Sequence, residues 1–445
     1  MDCPPALERF YSLPPQERKG FLEEAICRVH TYHYERNVAY RRTMLGRGVG
    51  PQITVRQFPR LLRLAALTFK EYIEQIGPFP QNHPAAFDQW LQDQVSISLG
   101  EGLAALRPHY SSIEDLLLAV EARYANLGIE IVTSSGTSGR TSFVPRDRET
   151  LSLAVSAFFT GIRRTWGIGN DVTLIFMMPR QTRVAMARVA QLGTRETGWS
   201  GHNPVYYTLP FPASPDQIRI RTGRLYQPGY KGMIEQRLLN PGMNLAYAQF
   251  ALPGMLALTR RRLQECLRAG QPLMLLGGMS QLHALVEKGY SGEPCALPLG
   301  SRVATGGGMK ENTPYTPAQI RNDLQKAFPG TPVSDVYGMA EANWAAFECP
   351  AGNYHIPSWV YAVVSDDEDQ IRTGPEVTGL LAFFDPLGGG QLVPPFFQTA
   401  DRVRLFGSPV YDPRAACPCG EQTAYMQGPI QRVDLIEEAG CAGQL

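Results

Sequence analysis

The chain has 445 residues, of which 44% are hydrophobic and 19% are charged, and its formal net charge is +1 at pH 7. These values are typical of a globular protein with more than one small core, and they exclude a disordered chain and a strongly basic nucleic-acid binder. No run of ~18 apolar residues predicts a membrane span, and no signal-peptide pattern opens the chain. We therefore expect a cytoplasmic protein whose eight cysteines are thiols, metal ligands or catalytic groups.

The pattern of apolar residues changes along the chain and predicts four regions. Residues 1–125 predict a helical N-terminal lobe. Over residues 126–375 short apolar runs, such as 172–178 and 272–276, alternate with helical patterns, which predicts an α/β core with helices on both faces of a sheet. Short strands with Gly and Pro turns predict a small β subdomain over residues 376–434. A flexible, cysteine-containing tail is predicted for the final residues, 435–445.

Residues 132–142 are the most informative segment, because nine of these eleven residues are Gly, Ser or Thr and they follow apolar Ile131. A strand that runs into such a turn is typical of phosphate sites, since glycines let N–H groups point into one concavity and hydroxyls add donors. The segment is not a P-loop, because no Lys follows Gly139. An ordinary surface loop is the alternative. The predicted phosphate ligands are Ser135, Gly136, Thr137, Ser138 and Gly139.

Four later segments have the same pattern, in which a short apolar run is followed by a turn with glycine or charged residues. They span residues 304–310, 334–341, 396–403 and 431–434. A tight turn between two elements is the alternative interpretation of the first, and the aromatic–Gly–x–x–Glu pattern of the second is weak when taken alone. The residues that carry these patterns are Gly306, Gly307, Gly308, Tyr337, Gly338, Glu341, Asp401, Arg432 and Asp434.

In kind, order and spacing, the five segments resemble the nucleotide-binding motifs of adenylate-forming enzymes, which activate carboxylic acids with ATP. The first segment departs from the usual motif, because Arg140, rather than Lys, follows its last Gly. This departure is similar to the phenylacetate-CoA ligase and LuxE-type acyl-protein synthetase branch, and residues 29–41 resemble the opening helix of that group. In the fourth segment Ala400 stands where Gly is usual. The implied fold is the α/β large domain of these enzymes, with a helical N-terminal lobe and a small β subdomain.

The resemblance also implies roles for individual residues. Tyr337 and the glycine turn at 306–308 would flank adenine, while Asp401 and Arg432 would hold the ribose. Glu341 would hold Mg²⁺ against the phosphates, and catalysis would come from orienting ATP and the acid and from neutralising phosphate charge. Four adaptable or aromatic side chains are candidates for a pocket that takes a fatty or aromatic acyl group. They are Met279, Met309, Met339 and Trp344.

Beyond residue 434 the family's full-length enzymes continue into a mobile domain with a catalytic Lys, which we expect this chain to lack. Cys441, flanked by Gly and Ala, resembles the cysteine that accepts the acyl group in LuxE-type synthetases. A thiolate attacks an acyl-adenylate readily, and the acyl group would then pass to a partner such as a reductase, a carrier protein or a transferase. The alternative is a frayed end whose cysteine is incidental.

A metal site is a further prediction. Cys417 and Cys419 form a compact Cys-x-Cys pair, and Cys349 and His355 lie six residues apart. Three thiolates and one imidazole form a tetrahedral set that suits structural Zn²⁺. Cys-x-Cys-Gly tails also recur in the phenylacetate-CoA ligase group. Four buried but unlinked residues are the alternative.

The sequence therefore predicts an enzyme that uses ATP and Mg²⁺ to activate a small-molecule carboxylic acid, and that passes the acyl group through Cys441 to a protein acceptor. The first alternative is an acyl- or aryl-CoA ligase of the phenylacetate type, which would use CoA and would not need Cys441. The second alternative is a non-catalytic protein that binds nucleotide with the same fold.

Overall fold

The computed structural model describes residues 5–134, 141–196, 199, 203–290, 294–307, 314–366 and 370–433. The N-terminal part is helical, and α3 shows why it begins where it does. The Asn37 side chain accepts a hydrogen bond from the Tyr40 N–H at 2.8 Å, which caps the first turn. The helices are α1 (Pro5–Ser12), α2 (Pro15–Arg36), α3 (Val38–Gly46), α4 (Ala65–Thr68), α5 (Tyr72–Ile76), α6 (Pro84–Gln94) and α7 (Ile113–Arg123), with short 3₁₀ turns at Val55–Leu61, Pro80–Asn82 and Ala125–Leu127.

Strands then alternate with helices, as the sequence pattern predicts. The strands are β1 (Arg63–Leu64), β2 (Glu130–Thr133), β3 (Phe143–Arg146), β4 (Thr173–Pro179), β5 (Val205–Leu209), β6 (Leu273–Gly277), β7 (Arg302–Gly306), β8 (Val333–Gly338), β9 (Ala345–Glu348), β10 (Asn353–His355), β11 (Tyr361–Ser365), β12 (Ile371–Arg372), β13 (Gly374–Phe384), β14 (Phe396–Ser408) and β15 (Tyr425–Arg432). The helices among them are α8 (Arg148–Trp166), α9 (Ala185–Glu196), α10 (Pro215–Thr222), α11 (Gly229–Ile234), α12 (Asn240–Ala246), α13 (Leu252–Ala269), α14 (Met279–Leu285) and α15 (Pro317–Ala327). A π turn (Val286–Tyr290) and a 3₁₀ turn (Pro413–Ala415) complete them.

One feature of the helical part is unusual in its length. The helices α11, α12 and α13 follow one another without a break, joined by π turns at Glu235–Leu239 and Tyr247–Ala251. We call residues 229–269 the arm helix, and at 1.5 Å per residue it is about 60 Å long. Among the helices that the structure describes, none combines the length and apolar character needed to cross a bilayer.

Thirteen strands form one mixed sheet, in the order β12-β11-β13-β14-β15-β10-β9-β8-β7-β6-β4-β5, with β1 paired to β14. Neighbouring strands are parallel in the part of the sheet that consists of β8, β7, β6, β4 and β5. Strand β9 pairs antiparallel with β8, and all further neighbours along this order up to β12 are also antiparallel. A separate hairpin consists of β2 and β3. The α/β fold class is confirmed, and the strands predicted near 172–178 and 272–276 are β4 and β6.

The parallel part of the sheet has helices on both faces because its strands are apolar on both sides. In β4, Leu174 and Phe176 pack with side chains of α8 and α9. The alternate residues, Ile175 and Met177, pack with α13, α14 and α15 on the opposite face. This alternation follows from the two-residue period of a strand. The helices of both faces therefore hold the carboxyl ends of the parallel strands at one edge.

The antiparallel strands continue the same sheet and pack against the N-terminal helices in the largest apolar cluster of the described residues. The division predicted at residue 376 falls inside β13, which pairs with β11 on one side and β14 on the other. The four-part division of the chain stays a prediction.

Candidate active site

The carboxyl ends of β7 and β8 bring two of the predicted motifs side by side. The strands are parallel, and Gly306 is in register with Val336, so the glycine turn lies next to Tyr337. Gly307 has φ +83°, a conformation that favours glycine, and a Cβ there would meet no atom within 4 Å. This leaves an open backbone surface beside the aromatic ring. Gly308 lies outside the described residues.

A hydrogen bond joins the second and fourth motifs. The Tyr337 hydroxyl donates to Asp401 Oδ2 at 2.7 Å. Burial raises the pKa of Tyr337 well above its usual range, and the Asp401 carboxylate raises it further, so the phenol stays protonated and acts as the donor. Asp401 is also the register partner of Arg432 across β14 and β15. The structure thus places the predicted adenine and ribose residues in one cluster.

This contact requires the sheet to curl. Three strands, β15, β10 and β9, lie between β14 and β8 in the sheet order. In a flat sheet, four strand spacings would separate β14 from β8 by about 19 Å, far more than a tyrosine side chain can span. The 2.7 Å bond between Tyr337 and Asp401 therefore shows that the antiparallel part of the sheet folds back towards the ends of the parallel strands.

The Glu341 turn after β8 rests on a buried arginine. Arg146, at the end of β3, donates to the carbonyl oxygens of Ala340 at 2.8 Å and Ala342 at 3.4 Å. Burial lowers the pKa of Arg146 to about 10, and the nearby Glu341 and Asp385 carboxylates oppose that shift, so the guanidinium is charged at neutral pH. Among the described residues, the half-buried Glu341 carboxylate has no hydrogen-bond donor, which leaves its oxygens available to a cation.

Sequence reasoning missed Arg146 and Asp385. Burial raises the pKa of Asp385 to about 7, while the Gly388 N–H, which donates to Asp385 Oδ1 at 2.8 Å, and Arg146 oppose the rise. Asn343, two residues after the Glu341 turn, donates to the Gly388 carbonyl at 2.6 Å. The only sequence signal for either residue was a charged side chain at the end of an apolar strand. This signal is too common to identify a site.

The hydroxyl-rich loop connects the two strands of the β2–β3 hairpin. Its predicted phosphate ligands, Ser135 to Gly139, lie outside the described residues. At its base the Ser142 N–H donates to Ser134 Oγ at 3.0 Å, and the Tyr72 hydroxyl donates to the Thr141 carbonyl at 3.0 Å. The Ser142 hydroxyl is buried without a partner among the described residues. An unpaired buried hydroxyl at the loop's base is a donor that a ligand can use.

The acyl-pocket candidates divide between two places. Met339 and Trp344 follow β8, and the Trp344 ring lies 6.5 Å from the Tyr337 ring and 5.1 Å from the Phe383 ring. The Trp344 indole N–H is buried and has no acceptor among the described residues. Met279 begins α14, at the carboxyl end of β6. Met309 lies outside the described residues, as do Asp434 and Cys441.

The four predicted metal ligands meet at one point. The ligand atoms of Cys349, His355, Cys417 and Cys419 all lie within 4.8 Å of one another. The two sulfurs of Cys349 and Cys417 are 3.8 Å apart, and Cys419 Sγ is 3.1 Å from His355 Nε2. For ligands about 2.3 Å from a tetrahedral ion, the expected ligand-to-ligand distance is about 3.8 Å. The geometry fits a single Zn²⁺.

The surroundings of these four residues also suit a metal. Burial lowers the pKa of His355 to about 4, so the imidazole is neutral, and its Nδ1 lies 2.9 Å from Thr423 Oγ1, which orients the ring. Burial raises the pKa of the Cys349 thiol, while backbone N–H groups of Asn353 and Ala351 bond to its sulfur and oppose the rise. Gly352 and Gly420, with φ of +76° and +88°, close the two cysteine turns. The four residues therefore lie together, and a metal bound between them stays a prediction.

Comparisons with known proteins agree with this architecture. No protein-family model matches the sequence, and no curated protein matches it. Among solved structures the fold is similar to that of a 2-hydroxyisobutyryl-CoA ligase in complex with 2-HIB-AMP and CoA, with a TM-score of 0.58 and 15% identity. That alignment covers 96% of this chain and 71% of the ligase. The likeness shows that the chain has the fold of an acid–CoA ligase, as the resemblance to adenylate-forming enzymes implied.

Two further solved ligases align less completely. One is a long-chain-fatty-acid-CoA ligase from Archaeoglobus fulgidus, with a TM-score of 0.39, 14% identity and coverage of 71% of this chain and 53% of the ligase. The other is a malonyl-CoA ligase with methylmalonyl-CoA and AMP bound, with a TM-score of 0.38, 16% identity and coverage of 68% and 53%. The chain spans about half the length of these two ligases.

The raised pKa of Asp385 makes a prediction about stability. The folded state holds the proton of the Asp385 carboxyl group more tightly than the unfolded state does. The contribution of this group to the free energy of unfolding is therefore complete below about pH 4 and is lost as the pH rises through about 7. Relative to the Asp385→Asn variant, the wild type should lose up to about 1.4 kcal/mol of unfolding free energy per pH unit across that window. Urea denaturation at several pH values measures the two slopes. Asp93→Asn, on the surface of α6, should keep the wild-type slope, and parallel curves for Asp385→Asn would contradict the assignment.

Proposed function

We propose that this protein activates a carboxylic acid with ATP to form an acyl-adenylate and pyrophosphate. The observation that carries the proposal is the meeting of motifs at one edge of the sheet, where Gly306 and Gly307 lie beside Tyr337 and the latter binds Asp401. These residues are distant in sequence, and an ordinary set of turns would not converge. The similarity of the whole fold to a ligase solved with an acyl-AMP supports the same conclusion.

The cluster has the groups that an adenosine moiety needs. The backbone at Gly306 and Gly307 carries no side chain, so a flat base can lie against it, with the Tyr337 ring as its second wall. Asp401 is held in place by the Tyr337 hydroxyl, and its carboxylate would accept hydrogen bonds from the ribose hydroxyls. Arg432, opposite Asp401 in register, would add a positive donor for ribose or phosphate oxygens.

The chemical step is a displacement at phosphorus. A carboxylate oxygen of the acid attacks the α-phosphorus of ATP, the bond from that phosphorus to its bridging oxygen breaks, and pyrophosphate leaves with the electron pair. The chain's contribution is to orient the two reactants and to neutralise charge. Glu341 would hold Mg²⁺, which when bound neutralises phosphate oxygens. Arg146 is a positioning residue, because it holds the carbonyls on either side of Glu341.

The acid would lie on the other side of the nucleotide, beside Met339 and Trp344. The unpaired indole N–H of Trp344 is a donor in an otherwise apolar wall, and a polar group on the acid would satisfy it. Met279, at the end of β6, would border the pocket from the neighbouring strand. These features suit an acid with an apolar body, and a fatty or an aromatic acid meets that description.

In the second half-reaction a thiol sulfur attacks the acyl carbonyl and AMP leaves. The two candidate thiols are that of Cys441 and that of CoA. The sequence pattern at Cys441 favours transfer to that cysteine and then to a protein acceptor, in the manner of LuxE-type synthetases. The likeness to a ligase solved with CoA favours CoA as the acceptor, which makes acid–CoA ligation the second candidate. Both routes begin with the same acyl-adenylate.

The role of Glu341 predicts a defect in the first half-reaction. Exchange of labelled pyrophosphate into ATP in the presence of the acid should fall by roughly 10²–10³-fold in Glu341→Gln, because a neutral amide cannot hold Mg²⁺ against the phosphates. Glu101→Gln, in an exposed turn, is the matched control and should exchange at the wild-type rate. Wild-type exchange by Glu341→Gln would remove that residue from the site, whereas no exchange with any acid in the wild type would contradict the proposed function.

The role of Cys441 makes a separate prediction about intact mass. After incubation with ATP, Mg²⁺ and a panel of fatty and aromatic acids, the wild type should gain one acyl mass that hydroxylamine removes, and Cys441→Ser should gain none. If neither protein gains mass, and both release AMP only when CoA is added, the acceptor is CoA and Cys441 has no part in the reaction.

The metal site is proposed to be structural Zn²⁺. Metal analysis of protein purified without chelators should find about one zinc per chain, and Cys417→Ser should lose most of it because one of four ligands is gone. The thermal midpoint of Cys417→Ser should fall to that of the chelator-treated wild type. Cys27→Ser, far from the cluster in α2, should keep both metal and midpoint. A metal-free wild type with an unchanged midpoint after chelation would contradict this assignment.

A further inference from the structure

The segment from α10 through the arm helix carries charge in a way that the rest of the chain does not. Residues 215–269 contain nine arginine or lysine side chains and three carboxylates, whereas the whole chain has a net charge of only +1. No charged residue occurs between Arg237 and Arg260. The segment therefore combines a strong local excess of positive charge with a long uncharged stretch.

The carboxylate in the first half of the arm helix is directed inward. Glu235 is buried and accepts from both terminal nitrogens of Arg219, at 2.6 and 2.7 Å, and from the Gln227 N–H at 2.8 Å. This bidentate ion pair attaches the arm helix to α10. Asn240 adds a second polar attachment, because its side chain donates to the Ile220 carbonyl at 2.6 Å. The first half of the arm helix is therefore held by polar contacts on its buried side.

Several large apolar side chains of the same half are exposed. This is the reverse of a helix that packs on a soluble core, where the apolar face is buried. The exposed fractions are 72% for Tyr230, 67% for Leu238, 57% for Leu245 and 68% for Phe250. Over residues 230–250 these side chains extend about 30 Å along the helix axis, which is too long a row to be incidental exposure.

Exposed cations lie beside this apolar row. Lys231 and Arg237 are on the arm helix itself, and Arg221 and Arg224 are on the neighbouring α10 and the turn that follows it. The Arg221 guanidinium lies over the Tyr247 ring, 3.8 Å from its centroid, which keeps its charge next to the arm. A surface that contacts this region must therefore be apolar where the row lies and negative where the cations lie.

We propose that the first half of the arm helix is a docking surface for an anionic lipid membrane, which it contacts without crossing. Leu, Phe and Tyr side chains would enter the boundary between head groups and acyl chains, and the flanking lysine and arginines would attract the anionic head groups. The inference concerns this surface alone and does not depend on the chemistry at the ends of the parallel strands.

Charge and shape favour a membrane over other occupants. A second copy of the chain would bring two positively charged segments together, which like-charge repulsion opposes. An acidic protein would satisfy the charge, but it would also have to cover an apolar row about 30 Å long. A fluid anionic layer matches both the length of the row and the sign of the charge.

Vesicle sedimentation tests the proposal with the full chain. The wild type should pellet with vesicles of equal parts phosphatidylcholine and phosphatidylglycerol at about 0.1 M salt, and should pellet at least about ten-fold less with phosphatidylcholine alone or at about 1 M salt. The double variant Leu238→Ser with Phe250→Ser should reduce the bound fraction at least about five-fold, because it removes apolar side chains that would enter the bilayer. The double variant Lys231→Glu with Arg237→Glu should reduce it by a similar factor, because it reverses two charges that would attract anionic head groups.

Matched controls keep the outcome unambiguous. Leu299→Ser replaces a leucine that is 98% exposed elsewhere on the protein, and Arg56→Glu reverses an exposed charge in the 3₁₀ turn after α3, so both should bind vesicles as the wild type does. Circular dichroism establishes that each variant is folded. Absence of vesicle binding by the wild type overturns the proposal, and so does binding that the arm variants leave unchanged. A dimer that dissociates in Leu238→Ser with Phe250→Ser, without vesicle binding, would instead assign the row to contact between copies.

Discussion

A positive charge sealed inside the protein constrains the region around the proposed active site. Burying the guanidinium of Arg146 would cost several kcal/mol if its donors and its charge were unmatched. The structure offsets that cost with the carbonyls of Ala340 and Ala342 and with the charges of Asp385 and Glu341. Ala340, Glu341 and Ala342 lie in the turn after β8, and Asp385 follows β13. The Arg146 side chain therefore links β3 to that turn and to the end of β13.

The second constraint is geometric and comes from the curl of the sheet. Parallel strands bring the glycine turn at Gly307 next to Tyr337, as they do in any α/β sheet whose ligand lies at the carboxyl ends of its strands. The antiparallel strands contribute Asp401 and Arg432 only because the sheet folds back by far more than a flat ladder would allow. A nucleotide site at this edge would therefore depend on packing between the N-terminal helices and the antiparallel strands, which enforces the curl.

Two other regions reverse the usual relation between polarity and burial. Around Cys417 the protein buries thiols and an imidazole, and burial together with the neighbouring thiols raises the pKa of Cys419 to about 12. Such a cluster is costly unless a cation neutralises it. In the arm helix the protein instead exposes Leu238 and Phe250 and buries the Glu235 carboxylate. We propose that a component outside the chain accounts for each reversal, a metal ion in one case and an apolar anionic layer in the other.

The sequence alone was sufficient for the fold class. Apolar runs of strand length alternating with helical patterns determine an α/β sheet with helices on both faces, and a strand followed by a glycine turn determines where a ligand can approach the backbone. Local pattern also singled out Tyr337, Asp401 and the four candidate metal ligands, which lie in two clusters of the structure. Their roles in binding a nucleotide and a metal stay predictions.

Tertiary structure decided which of these motifs meet. That Tyr337 binds Asp401 follows from the curl of a thirteen-stranded sheet, and no local pattern encodes a curl. The sequence also did not indicate the contacts of Arg146 and Asp385, because many strands end in a charged residue. Only the packing of the turn after β8 and the end of β13 around Arg146 distinguishes these two residues. The exposure of Tyr230, Leu238 and Phe250 was likewise decided by tertiary structure, since which face of a helix is covered depends on what packs against it.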